Sequence, residues 1–361
     1  MKKLTLKDVS RATGLSTFTV SKALNGEDGV SEASREQVLK AAKELGYIPN
    51  RAAQALRKAS RDSVAVVTAS TSNSYYLDLI SGIQQVLQPS EWTMVVGDVA
   101  VNGVYHPALE DRMVRRLIES RTAGVISSLR LSSDNTALLG RWGIPLVFVD
   151  SSPPDDHAHL PSVTTDNYNA SLAVGRHLAD HDYRDWLFLV YPSKWTSRLE
   201  RERGIRDAAA RHGARLSVIE SDNDPASAAA SLAQHLDGRG ALPDVLITGN
   251  TPLLLGALNH LRERRIAVPG DMALIGFDEF DWAALLDPPV TVLDERSEEI
   301  GRIAAQTLTK IITAQSDAEM HGETAYPLYT PEYQLQVPAA LIVRQSCGCG
   351  HGRSILTPHS D

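Results

Sequence analysis

Polar residues stand where short apolar runs end. Ser70, in Ser70-Thr71-Ser72, follows the run 63–68; Asp150 follows 146–149, Asn250 follows 245–248 and Asp278 follows 273–276. Arg201 opens a helical segment after a fifth run, 186–190. Carboxylates, an amide and a guanidinium converging on one cleft can bracket a polyhydroxy ligand, because each hydroxyl both donates and accepts a hydrogen bond. Tyr75, Tyr76, Trp195 and Trp282 are aromatic residues near these positions, able to cover a sugar face. Each residue singly has a structural duty open to it: strand-end Asp and Asn cap helices, and Tyr75 or Tyr76 can be core. Metal chemistry finds less support. Cys347-Gly-Cys349-Gly-His351 sets three ligand types at the chain end without a fourth or a framework, and a solvated helix face explains His177 and His181, so neither a metal site nor a cofactor is expected. No GxxxxGK[ST], GxSxG or HExxH occurs, which leaves an enzyme reading without a phosphate loop, a nucleophile turn or a zinc helix.

The cleft exists only if the apolar runs are strands. Segments 63–68, 94–97, 124–126, 146–149, 186–190, 245–248 and 273–276 are short and continuously apolar, the pattern of strands covered on both faces. Helix-sized segments lie between them, including 76–87, 109–119, 167–180 and 252–264. Repeated strand-helix units predict a doubly wound α/β body whose ligands sit beyond the carboxyl ends of its strands.

The head of the chain is of another kind. Residues 1–61 carry 12 Lys and Arg against 6 Asp and Glu, so a +6 head precedes a −14 body in a chain of net charge −8. Such asymmetry confines a nucleic-acid footprint to the head. Thr5-Leu-Lys-Asp8 is a helix-capping pattern, and its helix runs to about Thr13. Gly14-Leu15-Ser16 then supplies a turn, an anchor and a fresh N-cap for a second helix from Thr17 to about Asn25. Val20 and Leu24 can pack with Val9 and Leu15, leaving Phe18, Ser21, Lys22 and Asn25 on the opposite stripe, where short polar residues around one aromatic suit a groove. A third helix from Ser31-Glu32 adds Val38, Ala41, Ala42 and Leu45 to the core and stops at Gly46. Any short three-helix bundle shows such caps, but Tyr47-Ile-Pro49-Asn50 is followed by a basic, helix-favouring segment to Lys58, too short to be stable alone and suited to folding on a partner.

At 361 residues, 43% hydrophobic and 22% charged, the chain is that of a globular protein with more than one structural unit. It has no run of 18 apolar residues and no leader after Met1, so a membrane span and secretion are not expected, and two cysteines are too few for a disulfide framework. Cytoplasmic residence follows as the expectation.

Leu4-Thr-Leu-Lys-Asp-Val9, Gly14-Leu-Ser16, Thr19-Val-Ser-Lys22, Leu24-Asn25, Leu45-Gly-Tyr-Ile-Pro-Asn-Arg-Ala-Ala53 and Ala55-Leu56 resemble the DNA-binding head of the LacI/GalR family of bacterial transcriptional repressors. The resemblance implies that Thr17, Phe18 and Lys22 read base edges in the major groove, while Ser16, Ser21, Asn25 and Arg35 position phosphates. It also implies a hinge helix from Asn50, paired with that of a second copy in the minor groove of a palindromic operator, with Leu56 as a wedge and Ala53 and Arg57 lining the groove. Lys22 can donate to guanine O6 or N7, whereas Phe18 favours a thymine methyl.

In the body, Val147-Phe-Val-Asp150, Val163-Thr-Thr-Asp-Asn167, Arg201-Glu-Arg-Gly204, Ile247-Thr-Gly-Asn250, Ile275-Gly-Phe-Asp278 and Pro288-Pro-Val-Thr-Val292 are similar to the effector-binding core of the same family, itself similar to type I periplasmic sugar-binding proteins. The organisation implied is a helix-turn-helix domain at 1–49, a hinge and linker at 50–61, an effector-binding and dimerisation domain at 62–346 and a tail at 347–361. The large domain is expected as two lobes joined by three crossovers, 62–162 with 293–323 and 163–292 with 324–346. Ser70, Tyr75, Tyr76, Asp150, Arg201, Asn250, Asp278 and Trp282 are the expected effector contacts. The sequence departs from the family in three ways: Thr251 replaces an Asp, Glu295 replaces a Gln, and an aromatic expected near 222–226 is missing, with Trp282 or Trp195 as its substitute. Arg198, Arg201 and Arg203 keep phosphorylated or acidic sugars in view as effectors. The function implied is repression by a homodimer under small-molecule control; a DNA binder whose body only dimerises, and a solute-binding protein, are the alternatives.

Overall fold

Strands that are apolar on both faces need helices on both sides of their sheet, and the larger part of this protein is built that way. The computed structural model describes residues 4–47, 62–68, 73–90, 92–101, 104–321 and 329–350. The chain divides into two compact units, Met1–Arg61 and Asp62–Asp361.

In the first unit, α1 (Leu6–Thr13), α2 (Thr17–Leu24) and α3 (Glu32–Leu45) start where the sequence places caps. The Thr5 amide donates to Asp8 at 2.8 Å, the Thr19 amide to the Ser16 hydroxyl at 3.0 Å and the Ser34 amide to that of Ser31 at 3.3 Å, satisfying amides that a helix start leaves orphaned. Gly14 ends α1 at a φ of 71°, a left-handed conformation that turns the chain directly into α2. Val9, Val20, Ala23, Val38 and Ala42 form the core, with Leu6, Leu15, Leu24 and Tyr47 packed on it. Leu45, expected inside, is 37% exposed; α3 ends there, and Tyr47 closes the core from beyond the helix. The expected hinge helix, with Asn50, Ala53, Leu56 and Arg57, lies outside the described residues.

The second unit contains two six-stranded sheets. Sheet one runs β2 (Thr93–Asp98), β1 (Ser63–Thr68), β3 (Gly124–Ser127), β4 (Leu146–Val149), β5 (Ser162–Thr165), β11 (Gln334–Val337), all parallel. Sheet two runs β7 (Arg215–Glu220), β6 (Asp185–Val190), β8 (Val245–Thr248), β9 (Ala273–Phe277), β10 (Thr291–Asp294), β12 (Ala340–Ile342), with only β12 antiparallel. The covering helices are α4 (Ser74–Leu87), α5 (Pro107–Glu119), α6 (Ser133–Arg141) and α11 (Ser297–Met320) on sheet one, and α7 (Asn167–Asp180), α8 (Thr196–His212), α9 (Pro225–Asp237) and α10 (Thr251–Glu263) on sheet two. Central strands such as Val64–Val67 and Leu187–Val190 are buried throughout. Each such Val or Leu contributes about 1.5–3 kcal/mol relative to an exposed position.

Both sheets share one winding order, second strand, first, third, fourth, fifth, which reverses direction between the first and third strands. Ligands of doubly wound sheets sit at the carboxyl ends beside that reversal. The lobes change hands at Asp166, at 295–296 and at 338–339, which corrects the boundaries expected at 163, 293 and 324. β5 and β11 both belong to sheet one, and they went unread because they are lateral strands of alternating or mostly exposed residues rather than apolar runs. Among the described residues, no helix is long and apolar enough to cross a membrane.

Candidate functional site

The two reversal points open onto one cavity within the second unit. From sheet one it receives Asn73, Tyr75 and Tyr76 beyond β1 and Asp150 beyond β4; from sheet two, Tyr191, Trp195, Ser197 and Arg201 beyond β6, Asn223 beyond β7, Asn250 beyond β8 and Asp278 beyond β9. The free cavity volume is about 20 Å³, room for about one water molecule between the lobes as they stand.

Arg201 is its fixed point. α8 begins at Thr196, earlier than expected, so Arg201 lies in its second turn and is 2% exposed. Its Nε donates to Asn167 Oδ1 at 2.8 Å, Nη1 donates to the Gly249 carbonyl at 2.5 Å, and Nη2 pairs with Glu295. Asp278 stands 3.8 Å away, and the Phe277 ring centre lies 4.7 Å from the guanidinium carbon. Asp278 is itself anchored, accepting from the Thr251 amide at 3.0 Å and the Thr251 hydroxyl at 3.2 Å. Thr251, a departure from the family pattern, thus serves the site by holding a carboxylate. Asn250 caps α10 by accepting from the Leu253 amide at 3.1 Å, while its amide donates to Asn223 Oδ1 at 2.7 Å.

Asp150 differs from these. It and Asp278 end corresponding strands of the two lobes, and both adopt left-handed backbone, with φ of 50° and 69°. Such strain costs of order 1–3 kcal/mol per residue and gathers at functional sites. Burial pushes the Asp150 carboxyl up to about 7, Arg201 pulls the other way, and Asp278 adds to the rise. Burial likewise raises Glu295 well above the usual carboxylate range despite Arg201. Asp150 Oδ1, the Tyr75 hydroxyl and Trp195 Nε1 are buried, and none has a hydrogen-bond partner within the protein. A buried polar atom without a partner costs about 1–3 kcal/mol, so three around one cavity describe a surface shaped for a polar ligand.

The structure brings together Tyr75, Tyr76, Asp150, Arg201, Asn250 and Asp278 of the expected set. Ser70 lies outside the described residues. Trp282 does not line the cavity; its ring packs on Phe280 at 4.1 Å between centres, and Trp195 lines the cavity instead. Arg198 pairs with Glu202 and Glu220 at 2.9 and 3.2 Å and Arg203 pairs with Glu200, while Arg201 is spent on Asn167, Gly249 and Glu295. All three are ion-paired, and Arg198 keeps a buried Nε without a hydrogen-bond partner. Glu295, Asn167, Tyr191, Ser197 and Asn223 were not foreseen in this role. The first two stand within or beside segments the sequence singles out, whereas the other three follow from chain tracing alone.

In the first unit, α2 presents Ser16, Thr17 and Phe18 to solvent, and Phe18 is 70% exposed. Lys22 reaches over the Phe18 ring with its ammonium 5.2 Å from the centre, and it donates to the Asp28 carbonyl at 3.1 Å. The Asn25 side chain donates to Glu27 at 3.0 Å and to Ser21 at 3.5 Å. Arg35 is a clasp between α3 and the turn after α2, donating to the carbonyls of Ala23 at 3.1 Å and Glu27 at 2.7 Å. Its expected phosphate contact is left to its remaining N–H groups.

Two family models match the chain, bacterial regulatory proteins of the lacI family over residues 5–50 and a periplasmic binding protein-like domain over 176–347. The chain belongs to the LacI family. Among its relatives are the transcriptional regulator CelR of Thermobifida fusca, 28% identical with 95% of this chain and 98% of CelR covered, and the transcriptional repressor PurR of Vibrio cholerae, 27% identical with 88% and 96% covered. A solved CelR–cellobiose complex matches with a TM-score of 0.67 at 26% identity, over 95% of this chain and 99% of that one. As a LacI-family protein it is a DNA-binding transcriptional regulator of the helix-turn-helix type whose binding is effector-controlled.

One LacI-family lobe also holds what the sequence had kept apart: His177 and His181 of α7 stand against Cys347 and Cys349, which supplies the missing framework.

Proposed function

We propose that this protein represses transcription as a homodimer on a palindromic operator, and that a neutral, hydroxyl-rich small molecule of the sugar class, seated between the lobes, sets its operator affinity. The observation that carries the effector class is the charge inventory of the cavity: Asp150, Asp278 and Glu295 surround one fully engaged Arg201. Asp150 and Asp278 at the lining, beside an Arg201 already paired with Glu295, disfavour an anion and can accept from hydroxyls, while Tyr75 and Trp195 can supply donors. The CelR relative, solved with cellobiose, supports a sugar.

Phe18, Thr17 and Lys22 on the open face of α2 are the base-reading set, with Ser16, Ser21, Asn25 and Arg35 holding phosphates. Exposed Val95 and Val96 on edge strand β2, with exposed Leu77 on α4, offer apolar surface for a second copy, and a two-fold dimer matches a palindrome. Acting on chromosomal DNA places it in the cytoplasm, with no catalytic duty.

The test is a thermal-shift screen of neutral sugars, sugar phosphates, polyols and nucleobases, in which a ligand at 100 times its dissociation constant adds about 2.7 kcal/mol. A neutral sugar or polyol should stabilise the protein, and Asp278→Asn should abolish the shift. Stabilisation by sugar phosphates alone would overturn the charge argument.

A further inference from the structure

Helix α7 joins two sites. Its first residue, Asn167, holds Arg201 in the cavity; His177, ten residues and about 15 Å further along, faces the other edge of sheet two, near the amino ends of its strands. There β12 is followed by a C-terminal strap fastened by a series of hydrogen bonds. Arg344 donates to Thr291 and Val290, each at 2.8 Å, the Thr291 amide donates to the Ser346 hydroxyl at 2.8 Å, and that hydroxyl donates to the Leu274 carbonyl at 2.6 Å. The strap delivers Cys347, fully buried, and Cys349, half-buried, against α7. Gly348 between them has a φ of 93°, and a Cβ there would meet the Tyr183 hydroxyl at 2.7 Å, so this turn needs glycine.

His177 Nε2 is 3.3 Å from Cys347 Sγ and 4.0 Å from Cys349 Sγ, and His181 Nε2 is 3.1 Å from Cys349 Sγ. All four ligand atoms lie within 4.8 Å of one another. Tetrahedral zinc, with Zn–S of about 2.3 Å and Zn–N of about 2.0–2.1 Å, requires neighbouring ligand atoms roughly 3.3–3.8 Å apart. The separations straddle that range, so an ion at the centre needs the closest pairs to shift by tenths of an ångström and the widest to close by up to about 1 Å. We propose that His177, His181, Cys347 and Cys349 form a structural zinc site that locks the C-terminal strap onto α7. Four protein ligands close the coordination shell, leaving no position for a reacting molecule. Two thiolates balance the divalent charge, which suits a half-buried place. The outer shell is in position: the Thr291 hydroxyl donates to Cys347 Sγ at 3.1 Å, the Tyr183 hydroxyl donates to the Cys347 carbonyl at 3.0 Å, and the His181 ring stacks on Tyr183 at 5.3 Å. Soft sulfur and imidazole donors select zinc over magnesium or calcium.

The full chain, purified untagged without chelator, is analysed by elemental mass spectrometry and, after exchange, by cobalt(II) spectroscopy. One zinc per chain and the intense visible bands of tetrahedral cobalt with a thiolate charge-transfer band are expected, and Cys349→Ser and His181→Asn should each bind metal at least tenfold more weakly. Should those variants fold poorly, the wild type still decides: a strong chelator should lower its melting temperature, and zinc but not magnesium should restore it. A reduced protein that takes up no zinc, variants that keep it, or a Cys347–Cys349 disulfide in freshly isolated protein would each overturn the assignment.

Discussion

Asp150 is where chemistry and stability pull against each other. Its ordinary carboxyl value of 3.8 rises to about 7 on burial, so between about pH 4 and 7 the folded protein holds a proton that the unfolded chain has lost. The stability this group contributes is therefore complete below pH 4 and lost as the pH rises through 7. A ligand hydroxyl donating to Asp150 favours the ionised form, so binding should weaken as pH falls below 7, by up to about tenfold per unit, and Asp150→Asn should flatten that profile in calorimetric titrations. The same substitution should raise the melting temperature of the unliganded protein at pH 8, by roughly 2–4 °C for each 1 kcal/mol gained, because a buried charge has been removed. A lower melting temperature would show that the carboxylate is internally compensated. Arg201→Met should do the opposite, leaving Asp278 and Glu295 uncompensated at a cost of about 3–5 kcal/mol in urea denaturation, and Arg201→Lys should restore little, since a point charge cannot reproduce the three-way fork. Asp150, Asn250 and Asp278 were legible in the sequence because each stands within two residues of the end of an apolar run. Trp282 misled because its place near Asp278 in sequence says nothing of its packing on Phe280.

At the scale of elements, what the sequence discloses is what burial imposes. The seven apolar runs became strands within a residue or so at each end, six of them buried because a strand covered on both faces must be apolar throughout, and the seventh, β2, an exposed edge strand. β5, β7, β10, β11 and β12 were not read as strands: β5, β7 and β11 carry partly exposed residues, β10 is a short run ending at a lobe crossover, and β12 is three residues long. α1 to α3 were legible to within a residue from Thr5, Ser16, Ser31 and Gly46, since helix ends are set by local hydrogen bonds rather than distant packing. α2 carries the exposed face, and Phe18 contributes nothing to the core below it. Phe18→Ala should therefore leave unfolding of the head within about 0.5 kcal/mol of wild type, while weakening operator binding by about 1 kcal/mol or more at sites with a thymine facing it. Equal binding by the variant in a fluorescence titration would remove Phe18 from the base-reading set. The four metal ligands were all visible in the sequence but in two halves, 166 residues apart between His181 and Cys347, and only the strap after β12 unites them.

For the whole molecule, the charge divides as the architecture does, +6 over residues 1–61 and −14 over the rest. Operator affinity should fall steeply with salt, by about 10³–10⁵ between 50 and 200 mM for six to ten phosphate contacts, whereas binding of a neutral effector should change little. A flat salt response would contradict an electrostatic footprint on the head. The account as a whole rests on coupling between the cavity and the head, a free energy typically of about 1–3 kcal/mol. The measurement that tests it most directly is operator affinity at fixed salt, with and without the saturating neutral ligand identified by thermal shift, for wild type and for Asp278→Asn. The account predicts a change of roughly 5- to 150-fold in wild type and none in the variant. Affinities that agree within about twofold in wild type, with the ligand bound, would contradict it.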